Sequence, residues 1–144
     1  MKTSEIDTAY IEKYPGNVFH VTVKPGTELT LEAAKRLIRA TNQMLDDTTN
    51  YRGGVYDLSK IAYIHPDARE YLAEGSEIQG TVVGVALLSN SFLGKMVGNL
   101  FISLGSPSNF PVKYFESPIR AEFWVRQQIS KAKENEQGDM KRVA

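Results

Sequence analysis

The chain has no cysteine. Disulfides, thiolate nucleophiles and cysteine-ligated zinc are therefore excluded together. Histidine is scarce too, at two residues in 144, His20 and His65. Neither has a second ligand at metal-binding spacing, since Pro66 follows His65 directly. No Gly-x-Ser-x-Gly elbow occurs, so a serine nucleophile lacks its usual setting. A phosphate-binding loop around Gly94-Lys95 would need glycine at 89 and serine or threonine at 96, where the chain has Ser89 and Met96. Net charge is absent as well: 17 Lys and Arg balance 17 Asp and Glu, which leaves no global field to attract nucleic acid. The N-terminal MKTSEIDTAY has no apolar core of the signal-peptide kind, and the expected location is cytoplasmic. These absences point to a non-enzymatic protein that needs no cofactor.

What the chain does have is an ordinary globular composition, 42% hydrophobic and 24% charged, at the length of one domain. The expected division is a single domain over 1–130 and a polar tail over 131–144, partly frayed. Most of the strongly apolar material lies between Gly80 and Phe115. Val82 to Leu88 is a continuous apolar block rich in β-branched residues, as a strand buried on both faces requires. Past Ser89-Asn90-Ser91, which are helix-capping types, Leu93, Met96, Val97, Leu100, Phe101 and Leu104 recur at helical spacing. The turn cluster Gly105-Ser106-Pro107-Ser108 and a short strand, Val112 to Phe115, complete a crossover unit of the kind that builds parallel sheets. A membrane span is not expected, because Ser89-Asn90-Ser91, Lys95 and Asn99 interrupt the run.

The remaining elements follow in order. Thr8 to Tyr14 and Val18 to Val23 read as a hairpin about the turn Pro15-Gly16-Asn17, with His20 as a structural residue on one face. Thr30 caps a helix to about Leu45, whose apolar stripe is Leu31, Ala34, Leu37, Ile38, Thr41 and Leu45. Its lysine and arginines form a solvated face. Val55 to Leu58 reads as a third strand, and Pro66 opens a helix to about Glu74. Ser117 and Pro118 open the last helix, with Ala121, Trp124, Val125 and Ile129 as its buried stripe.

Two local patterns bear on function. Along 92–104, Ser91, Lys95, Asn99 and Ser103 recur every four residues as a narrow polar ridge, and the helix is apolar over more of its circumference than one sheet contact needs. The excess surface calls for a cover: a second copy of the chain or another protein, an intramolecular loop, or a lipid or small apolar ligand. Gly94 and Gly98 fit close packing of that helix on its own sheet. His65-Pro66-Asp67 matches the tripeptide of J-domain cochaperones, but there it joins two long helices and here it follows the β-rich stretch 55–64.

The order of elements, with Val55-Tyr56-Asp57-Leu58-Ser59-Lys60-Ile61 and Ile64-His65-Pro66-Asp67-Ala68-Arg69, resembles the STAS domains of bacterial anti-sigma-factor antagonists. The ending, Phe110 to Phe115 with Ala121 and Trp124, is similar to an uncharacterised bacterial branch of STAS-like proteins related to CRAL-TRIO lipid-binding domains. The resemblance implies an α/β fold with a mixed, mostly parallel sheet of about five strands and about four helices. It implies a binding or regulatory domain acting through protein–protein interaction with another protein or with itself. In the antagonists, a serine at the start of the second helix is phosphorylated to release the partner. Asp67 stands where that serine would fall, with no glycine after it, so the switch is expected to be lost. The candidate binding residues are Ser59, Asp67, Lys95 and Asn99. The alternative function is a carrier of lipid or a small apolar ligand, with its pocket under helix 92–104.

Overall fold

The computed structural model describes residues 2–44, 50–74, 81–91 and 110–143. The fold is mixed α/β. Its main sheet has six strands in the order β1 (Lys2–Glu5), β2 (Ala9–Tyr14), β3 (Val18–Val23), β5 (Arg52–Asp57), β7 (Val82–Leu88) and β8 (Val112–Phe115). The first three are antiparallel neighbours and the last four run parallel. The β2–β3 hairpin turns at Pro15-Gly16-Asn17, where Gly16 (φ 83°) and Asn17 (φ 64°) are the left-handed residues, types that tolerate that conformation. A second, two-stranded parallel sheet pairs β4 (Glu28–Leu29) with β6 (Tyr63–Ile64). The described helices are α1 (Leu31–Met44), α2 (Pro66–Glu74) and α3 (Pro118–Val143). The helix expected over 92–104 lies outside the described residues.

Two successive crossovers in one direction along a parallel sheet put their helices on the same face. Accordingly α1 and α2 touch each other and close the first core with Phe19, Val21, Leu37, Tyr56, Leu58 and Leu87. Thr30 caps α1 as its composition requires, its Oγ1 accepting from the Ala33 N–H at 3.1 Å. Arg36, on the polar face of α1, pairs with Asp7 at 2.8 Å, and that guanidinium holds the Asp7 carboxyl below its ordinary value. The phenol of Tyr56 is buried beside Thr41, and burial pushes its pKa up to about 12.

The opposite face belongs to α3, which lies on β7, β5, β8 and β3. Val18, Val55, Ala86, Ala121, Val125 and Ile129 form this second core, with Trp124 against Phe115. Glycine lets the helix approach: a Cβ on Gly53 would press on Val125, and one on Gly84 would meet Gln128 Cγ at 2.9 Å. A register shift between Arg52 and Gly54 accompanies this approach. Arg126 fastens the helix to the hairpin, donating to the Pro15 carbonyl (3.0 Å) and meeting Glu122 (3.3 Å). His20 faces the same helix, 3.4 Å from Glu122, with its ring tilted against that of Tyr14 at 4.6 Å between centroids. Beyond Ile129 the helix continues to Val143 and leaves the sheet, so the polar segment from 131 is a helical extension of α3.

Candidate functional site

The parallel strands all end on one edge of the sheet, where α1, α2 and α3 begin. Open parallel sheets bind their ligands outside this carboxyl edge, and helix N-termini carry partial positive charge there. Glu32 and Asp67 stand in the first turns of α1 and α2.

Ser59 sits in the turn that ends β5. Its backbone N–H is held by Asp57 Oδ1 at 2.9 Å, a turn closed by an aspartate side chain. Its hydroxyl reaches sideways, accepting the Asn90 N–H at 3.3 Å, so it ties the end of β5 to the end of β7. The neighbouring Ser89 is fully buried. Its Oγ accepts from the Ser91 N–H (3.1 Å), and its carbonyl receives the Tyr114 hydroxyl (2.9 Å). This hydroxyl cluster joins the ends of β5, β7 and β8. It pins the edge.

Asp67 occupies the exposed first turn of α2, where its Oδ1 accepts the Ala68 N–H at 2.8 Å. Two residues before it, His65 Nε2 lies 2.7 Å from Glu28 Oε1, and Tyr63 packs edge-on against the His65 ring with 50% of its own surface exposed. The two chain segments that carry these residues run side by side: Gly26 donates to Lys60, Ala62 to Thr27, and His65 to Leu29. Tyr63, His65 and Glu28 thus form a half-exposed ledge at the start of α2, with Asp67 beside it in the helix's first turn.

Ser59 and Asp67 therefore share an edge but serve different parts of it, Ser59 toward β7 and Asp67 at the head of α2. Lys95 and Asn99 lie outside the described residues. Tyr63 and Glu28 were not singled out from sequence; Tyr63 and His65 at alternate positions were the available signal, while Glu28 is brought in from 37 positions away. Among the described residues no group of three His, Cys, Asp or Glu is placed to hold a metal ion, and no helix is long and apolar enough to cross a membrane.

Residues 11–129 match the family model described as a domain of unknown function, DUF7793, and the chain belongs to that family. Among solved structures it is similar to the crystal structure of an uncharacterised protein of the DUF3478 family with a SpoIIAA-like fold, from Shewanella loihica PV-4. The identity is 16%, the TM-score 0.54, and the match covers 87% of this chain and 99% of that one. The STAS-like α/β fold inferred from the sequence is thereby found in the structure. No curated protein matches the chain.

Proposed function

We propose that this protein is a non-enzymatic STAS-like binding domain that regulates by protein–protein contact and has lost the phosphoserine switch. The contact surface is the ledge at the head of α2. The observation that carries the reading is the ledge itself: an exposed tyrosine, Tyr63, on the paired backbones of β4 and β6, and an exposed carboxylate, Asp67, in the first turn of α2 that follows. Tyrosine is a preferred anchor at interfaces because it buries a large, stiff ring with a polar tip. Asp67 gives the same helix terminus a permanent charge where a switchable serine would give a conditional one. Ser59, the other hydroxyl near the ledge, already holds the Asn90 N–H, which supports a structural role for it.

The test compares the full chain with Tyr63→Ala and Asp67→Arg, each immobilised and exposed to extract from the source cells, with bound proteins identified by mass spectrometry. A protein retained by the wild type and lost from both variants, at unchanged melting temperature, is the expected result. Retention that is indifferent to both substitutions would sink the ledge as the contact surface. Intact-mass measurement after incubation with the same extract and ATP addresses the switch. Stoichiometric phosphate on Ser59 would overturn its loss.

A further inference from the structure

The two histidines of the chain are held differently. His65 Nε2 lies 2.7 Å from Glu28 Oε1, a hydrogen-bond length, whereas His20 Nε2 lies 3.4 Å from Glu122 and has no hydrogen-bond partner. A carboxylate only accepts, so the bond to Glu28 puts the proton of a neutral His65 ring on Nε2 and leaves Nδ1 with its lone pair. Among the described residues nothing bonds to that Nδ1. The ring is kept in its pose by Tyr63, edge-on at 5.2 Å between centroids, and by the His65 N–H, which donates to the Leu29 carbonyl at 3.0 Å. The side chain is 36% open to solvent. An imidazole with one nitrogen oriented by a carboxylate and the other free and accessible is set up as a nucleophile.

The surroundings of the ring select the group it would accept. The His65 carbonyl takes the Arg69 N–H at 3.0 Å, which makes His65 the N-cap of α2, the position whose side chain stands over the first-turn donors. That terminus favours negative charge, phosphate above all. Arg69, one turn on from His65, has a buried Nε with no hydrogen-bond partner among the described residues. Only the Asp67 carboxylate opposes an anion here, and it already accepts the Ala68 N–H. We propose that Nδ1 of His65 is a phosphoryl acceptor, charged by a donor of the phosphoramidate class. The Nδ1 lone pair forms the new N–P bond as the donor's P–N bond breaks, and the donor nitrogen, already protonated, leaves as a neutral amine with the electron pair. Nδ1 has no proton to lose, so the step needs no base. The ring becomes positive, and Glu28, a positioning residue, offsets that charge across the Nε2–H bond. The phosphate stands on the ledge beside Tyr63, so the inference deepens the proposed function by giving the contact surface a conditional charge; it rests on that reading for this consequence alone, since the chemistry needs no partner.

The probe is phosphoramidate itself, added to the full chain near neutral pH while intact mass is followed over time. His20→Gln leaves His65 as the only histidine, and His65→Gln leaves only His20, so each site is timed alone. His65 is expected to take one phosphate about tenfold or more faster than N-acetylhistidine in the same solution, on the strength of its oriented ring and helix terminus. The phosphate should be lost in acid, where a phosphoserine survives, and phosphorus–proton correlation NMR should place it on Nδ1. Glu28→Gln keeps an acceptor but removes its charge; it is expected to slow His65 by about tenfold while the rate at His20 and the melting temperature stay unchanged, a split that loss of fold would not produce. Reaction at His65 no faster than at N-acetylhistidine, phosphate on Nε2, or a Glu28→Gln chain as fast as the wild type would each overturn the proposal. Phosphate that forms as expected on a chain that retains no protein from extract supports the acceptor and tells against the contact surface.

Discussion

Phe19 fills the space that any side chain on Gly54 would need: a Cβ built at residue 54 collides with the ring's Cε2, Cζ and Cδ2 atoms. The two residues are paired neighbours on β3 and β5, and the ring is fully buried, with Tyr56 edge-on at 6.0 Å between centroids. The glycine is therefore a packing requirement of the first core. Gly54→Ala is expected to cost about 1–3 kcal/mol, as overpacking does. Urea denaturation measures it, and a variant as stable as the wild type would show that the ring can shift freely.

Tyr56 ties stability to alkaline pH. Burial raises its pKa to about 12 in the fold, above the ordinary phenol value of 10.0, so the folded state holds the phenolic proton more tightly than the unfolded chain. The contribution is complete below pH 10 and disappears as pH rises through 12, a span worth about 3 kcal/mol at 1.36 kcal/mol per unit. Tyr56→Phe removes the acid and should flatten this part of the stability profile, while changing stability at pH 7 by about 1 kcal/mol or less. Thermal melts at pH 8, 10 and 11 compare the two, and parallel profiles would refute the assignment.

Arg126 holds α3 to the hairpin turn across 111 positions of sequence. The contact is exposed, so Arg126→Ala should lower global stability by only about 0.5–1 kcal/mol. Its larger effect is local. Hydrogen exchange of the amides of α3 around residues 122–129 should quicken relative to those of β5, and unchanged protection would mean that the apolar stripe alone seats the helix.

Thr30→Ala removes the cap of α1 and should cost about 1 kcal/mol, read by chemical denaturation. Thr30→Asp restores an acceptor at the same place and should recover most of that loss. Failure of the aspartate to do so would mean that the threonine acts through its methyl group.

The elements legible in the sequence are those with a strong period or a clear cap. Val82–Leu88 announced itself by continuous apolar residues, α1 by its stripe and Thr30, and α3 by Ser117-Pro118. Strand β1, Lys-Thr-Ser-Glu, had no such signal: it is an edge strand with exposed polar side chains, and only its pairing with β2 makes it a strand. β4 and β6 are two residues each, too short for any period. The site was legible as residue types and not as contacts. Ser59 stands out in the sequence only as a candidate binding residue; in the fold its backbone closes a turn with Asp57 and its hydroxyl meets Asn90, 31 positions away. Such a contact depends on β5 and β7 lying side by side in register, which no local pattern encodes.

The sheet order, β1-β2-β3-β5-β7-β8, is also the order of the strands along the chain. Among the described strands none has to be inserted between two that are already paired. As the chain leaves the ribosome, N-terminus first, the hairpin can form from local contacts, and each later strand then finds a finished edge waiting for it. Helix α3 comes last and covers a face that the preceding strands have already completed. The fold can thus be assembled in the direction of its own synthesis, each new strand adding to the same edge.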